Sequence, residues 1–71
     1  MYEDVLTKTL LETHPEFKGL YEEHIQLEQD LEALYSLRFF PPEVETRIKE
    51  IKITKLKGKD RMYQILAQAR V

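Results

Sequence analysis

The spacing of apolar residues from Phe17 onward constrains this chain most. Phe17, Leu20, Leu27, Leu31 and Leu34 step by three and four, with His24 in the one seam position that is not apolar. That rhythm belongs to a helix packed along a narrow seam against another helix. Tyr21, Ile25 and Tyr35 widen the seam on its flanks. Such a helix is not stable alone in water, because most helical stability comes from burying the apolar face. The rest of the chain is expected to cover it.

Pro41-Pro42 supplies the means. Two consecutive prolines cannot sit inside a helix, since each lacks the N–H and its ring clashes with the preceding turn. The first long helix therefore runs over 15–37, a Pro-Pro turn over 38–42, and a second long helix over 43–69 with Pro42 at its start. Glu43 and Glu45 suit the positive end of its dipole. Its seam of Val44, Ile48, Ile51, Lys55, Gly58, Met62, Ile65 and Ala69 steps by four and three without a fault. A further seam of Ile53, Leu56, Asp60, Tyr63 and Ala67 is expected on a neighbouring face, for a second neighbour. Phe39 and Phe40 are expected to close the apolar end of the core, the alternative being an exposed patch.

Ahead of the first seam, Leu6 and Leu10 stand one turn apart beside Val5 and Leu11. They predict a short helix over 4–12, with Asp4 as its N-cap. Thr13-His14-Pro15-Glu16 reads as a capping box that starts the long helix: Thr13 accepts from the amide three residues on, and Glu16 reaches back. Pro15 disfavours helical geometry at His14, which places a break at 13–14. His14 is expected at the solvent-exposed surface. Gly19 and Gly58 are mid-helix positions that weaken the helix or admit a close approach.

At 71 residues the chain is at most one domain, and one this small buries only about 60% of its unfolded surface. Disulfides, a metal or oligomerisation commonly supply the missing stability. There is no cysteine, and two histidines are a poor basis for a metal cage. Oligomerisation is the route left. Residues 1–40 carry nine acids against three bases, and residues 41–71 four acids against eight bases, giving −6 and +4. Helices of opposite charge attract along their flanks. No apolar run approaches the roughly 18 residues of a membrane span. Glu3 and Asp4 stand where a signal peptide needs bases. A cytoplasmic protein with no membrane contact is expected.

His14-Pro15-Glu16-Phe17, followed by Leu20, Glu23-His24, Leu27-Glu28 and Leu31, resembles the opening of the YdcH-like family, small bacterial proteins grouped as a domain of unknown function. Ile48-Lys49, Ile51-Lys52, Leu56 and Lys59-Asp60-Arg61-Met62-Tyr63-Gln64-Ile65-Leu66 resemble its closing signature. The resemblance covers residues 14–66. It departs at Gly58, where the family usually carries leucine, and at Phe39–Pro42, where its link is normally more polar. It implies a self-associating helical hairpin and no activity.

No residue pattern points to a chemical step. There is no glycine-rich phosphate loop, nucleophile elbow, zinc spacing or pair of catalytic carboxylates. No catalytic, cofactor-binding or metal residue is named. His24 reads as a seam polar residue that sets register, not as a ligand. Asp60, if buried, needs a base such as Lys57 or Arg61, or a tyrosine hydroxyl. Tyr2, Tyr21, Tyr35 and Tyr63 suit helix interfaces. The expected fold is all-α: a hairpin with a short N-terminal helix, two hairpins forming a four-helix bundle. The expected function is a non-catalytic interaction or adaptor protein. Its interface residues are Phe17, Leu20, His24, Leu27, Leu31, Leu34, Ile48, Ile51, Leu56 and Tyr63. A homodimer or homotetramer is expected, with an unidentified protein as a further partner. The alternative is a nucleic-acid-associated regulator using the seven bases of Arg47–Arg61, though these are spread around the helix and no aromatic platform interleaves them.

Overall fold

The computed structural model describes residues 5–70. The chain forms three helices: α1 (Val5–Thr13), α2 (Pro15–Tyr35) and α3 (Pro42–Ala69). There is no strand among the described residues. α2 and α3 make the hairpin, 46 Å in its longest dimension, and α1 docks at its open end against both. The N-cap expected at Asp4 lies outside the described residues.

The α1–α2 break falls at His14, whose φ of −123° and ψ of 98° are extended. Pro15 forces this geometry on the residue before it. The cap differs from the capping box read from the sequence. His14 itself is the N-cap: its Nδ1 accepts from the Phe17 amide at 3.1 Å. His14 is accordingly half-buried, not solvent-exposed. Thr13 is still helical, and its hydroxyl donates back to the Thr9 carbonyl at 2.8 Å. Once Thr13 belongs to α1 it cannot hold the extended geometry an N-cap requires.

α2 ends two residues before Leu37. The Ser36 hydroxyl donates to the Ala33 carbonyl at 2.7 Å, and the Leu37 amide donates to the Leu34 carbonyl at 3.2 Å. These bonds tighten the last turn and satisfy carbonyls that a helix end leaves open. Pro41 is the N-cap of α3, with φ −63° and ψ 164°. Its carbonyl accepts from the Val44 and Glu45 amides at 2.9 and 3.1 Å.

The core has two parts. At the open end, Leu10, Phe17, Met62, Ile65 and Leu66 are buried together, with Leu6, Leu11, Leu20 and Tyr21 packed on them. Phe17 and Met62 are completely enclosed. Toward the turn, Leu31, Ile48 and Ile51 are buried with Leu27, Leu34 and Val44 around them. Leu66 joins the core although it lies off the main α3 seam, because α1 covers that side. Ala69, the last seam position, is exposed.

Phe39 and Phe40 do not close the core: Phe39 is 75% exposed. Leu34 and Val44 already fill that end, and the two prolines hold the turn extended. Nor is either glycine a close-approach site. A Cβ on Gly19 would meet nothing within 4 Å, and one on Gly58 would meet only Glu23 Oε1 at 3.7 Å and Leu20 Cδ2 at 4.0 Å. Gly19→Ala and Gly58→Ala should each raise stability by about 1 kcal/mol in urea denaturation, the helix-propensity difference, with no steric cost to set against it. Met62→Ala should cost about 2–5 kcal/mol in the same assay.

Candidate functional site

The sequence-derived interface residues divide into two sets. Phe17, Leu20, His24, Leu27, Leu31, Leu34, Ile48 and Ile51 all fall on the α2–α3 seam within one chain, buried or half-buried. Leu56 and Tyr63 do not join them. Leu56 lies five residues after Ile51, about 140° further round the helix. The second α3 seam is therefore not on a neighbouring face but turned almost directly away from α2. Ile53, Leu56 and Tyr63 are 56%, 60% and 45% exposed there. Asp60 and Ala67 share that face and are exposed. A stripe of large apolar side chains at helical spacing, open to water on a small hairpin, is the principal site candidate.

Asp60 is consequently a surface carboxylate, not a buried charge. Among the described residues it forms no ion pair. Arg61, a partner expected for it, points to the other side of α3 and grips Glu16 instead. Nε and Nη2 of Arg61 meet the two Glu16 oxygens at 2.8 and 2.9 Å. This two-pronged geometry is the strong form of a carboxylate–guanidinium contact. It ties the first turn of α2 to the last third of α3. The Arg61 hydrogen bond holds the Glu16 carboxyl below its ordinary value of 4.5, against a smaller opposing effect of desolvation.

Between the two core clusters lies a polar layer. His24 Nε2 is 2.7 Å from Glu28 Oε1, and Lys55 Nζ approaches the same oxygen at 3.8 Å. The His24 side chain is only 13% exposed, and its Nδ1 has no hydrogen-bond partner. A bare buried acceptor costs about 1–3 kcal/mol. The layer divides the core with polar side chains. Among the described residues no group of three or more His, Asp or Glu side chains is placed to hold a metal ion.

The hairpin tip carries a further group of exposed apolar residues, while Val5 and Ile25 are exposed singly elsewhere. The Tyr35 and Phe40 rings lie 6.2 Å apart, and Lys52 Nζ sits 5.8 Å from the centre of the Tyr35 ring. Leu37 and Phe39 project beside them. Among the described residues, no helix is long and apolar enough to cross a membrane.

Sequence reasoning missed Thr7 and Leu66 as buried residues and the Glu16–Arg61 clamp. The 45-residue separation of the clamp gives it no local signal. Leu6 and Leu10, one turn apart, were the available signal that α1 would bury a side of α3. Comparison of the chain with family models, curated proteins and solved structures finds no match.

Two outcomes follow from this geometry. His24→Leu should raise stability by about 1 kcal/mol in urea denaturation, since it removes the unpaired Nδ1 from an apolar seam. A carboxyl held low contributes stability above its unfolded value, and that contribution is lost as the pH falls through its folded value. Part of the acid destabilisation below about pH 4.5 should therefore disappear in Glu16→Gln, measured as melting temperature against pH.

Proposed function

We propose that this chain is a small helical interaction protein that works without catalysis through the outer face of α3. Its first partner is a second copy of itself. The observation that carries this reading is the stripe of Ile53, Leu56 and Tyr63, exposed on the side of α3 away from α2. A domain of this size buries few apolar side chains, and these three lie at the spacing of a second helix seam. Covering the stripe with the same stripe of another copy gives a closed, two-fold pair. The two α3 helices then lie side by side with α2 outermost on each, a four-helix assembly. A homotetramer would need a further surface, for which the hairpin tip is the available apolar patch. Membership of the YdcH-like family belongs to the same proposal and is supported by the motifs around Glu23-His24 and Lys59-Asp60.

The nucleic-acid alternative has less support. Of the seven bases between Arg47 and Arg61, Lys55 approaches Glu28, Arg61 grips Glu16, and Lys52 lies over the Tyr35 ring. The remainder form no continuous basic strip. Sedimentation equilibrium over a concentration series, with circular dichroism in parallel, tests the main reading. The wild-type chain should be a helical dimer, and Leu56→Lys a helical monomer. A monomeric wild type, or a Leu56→Lys variant that dimerises normally, would overturn it.

A further inference from the structure

The outer face of α3 extends further than its apolar residues. Continued toward the N-terminus by the same steps, it takes in Lys49 and Thr46, both exposed. Short of the terminal Ala67, the stripe is Thr46, Lys49, Ile53, Leu56, Asp60 and Tyr63, with steps of three, four, three, four and three. That order reads the same from either end. Its midpoint lies between Thr54 and Lys55, close to the middle of α3.

We propose that two copies of the chain pair antiparallel along this stripe, in the register that sets Lys49 of one against the partner's Asp60. The proposal rests on the reading of the α3 face given above and adds orientation and register. About the two-fold axis at the midpoint, Ile53 meets the partner's Leu56 and Leu56 meets the partner's Ile53. Lys49 meets the partner's Asp60 at one end of this apolar centre, and Asp60 meets the partner's Lys49 at the other. Tyr63 meets the partner's Thr46 beyond each. Neither Lys49 nor Asp60 forms an ion pair within its own chain among the described residues, so both charges remain available.

The alternatives each bring a charge into an unsuitable place. A parallel pair in register sets Asp60 against Asp60 and Lys49 against Lys49. An antiparallel pair shifted by one heptad one way sets Asp60 against Leu56, and the other way Lys49 against Ile53. Like charges and unpaired charges against apolar groups select against these arrangements. Along one rim of the proposed register Lys57 comes beside the partner's Glu50, which adds attraction. Along the other rim the half-buried Lys59 comes beside the partner's Lys52, itself exposed, an opposing contact at the interface edge that salt screens in part.

The test inverts the charges singly and together, with sedimentation equilibrium at low salt as the readout and circular dichroism to establish that each variant is helical. Lys49→Asp and Asp60→Lys should each weaken self-association by about tenfold or more, since two attractive contacts become repulsive. An equimolar mixture of the two variants should associate at close to wild-type strength. In that mixed pair one chain carries two acids on the stripe and the other two bases, so both end contacts are attractive again. The double variant K49D/D60K should also recover. If the single variants dimerise as the wild type does, or if neither the mixture nor the double variant recovers, the register is wrong. If Leu56→Lys gives monomers while the charge variants have no effect, the α3 face stands and the register falls. If Leu56→Lys leaves the dimer intact, both fall.

Discussion

Phe17 against Met62 is the contact on which the rest of this small fold depends. Both side chains are completely enclosed, and they lie where all three helices meet. Phe17 opens the α2 seam and also donates its amide to the His14 cap. The same residue therefore sets the start of α2, the break from α1 and the depth at which α3 packs. Burying a side chain of this size contributes about 1.5–3 kcal/mol, a large share of the marginal stability of so short a chain. The Glu16–Arg61 clamp beside it adds direction more than energy, because water and salt screen an exposed ion pair.

Past that contact the hairpin thins. The polar layer of His24, Glu28 and Lys55 interrupts the seam, and in the second cluster Leu31, Ile48 and Ile51 are the buried residues, Ile51 alone of them fully. A seam polar residue costs stability and can restrict the registers in which two helices pack. The chain thus holds its two long helices together with a small internal core and leaves a second apolar stripe largely exposed. The proposed association between copies would be the physical complement of that arrangement.

Much of the fold was legible in the spacing of Phe17, Leu20, Leu27, Leu31 and Leu34, in the matching α3 seam, and in the Pro41-Pro42 turn. These are local signals read at helical period. What was not legible depended on competition between local options or on distance along the chain. Thr13 and His14 are both able to cap a helix, and Pro15 decides between them through the backbone geometry it imposes on His14. Phe39 and Phe40 are apolar enough for a core, but Leu34 and Val44 had already filled it. A buried Asp60 was open to consideration because its seam was placed on a neighbouring face. Counting residues from Ile51 to Leu56 would have put that seam on the far side. The Lys49–Asp60 symmetry was in the sequence as well, yet it has meaning only once the α3 face is known to point outward.

A single spin label on α3 measures the orientation of the pair directly. The chain has no cysteine, so Gln68→Cys at an exposed position gives one label per copy. In the antiparallel register the two labelled backbones stand about 40 Å apart along the helix axes, from a rise of about 1.5 Å per residue about the midpoint. An electron–electron resonance distance near that value is expected. A distance of roughly 10 Å, the spacing of parallel neighbouring helices, or no coupling between copies at all, would contradict it.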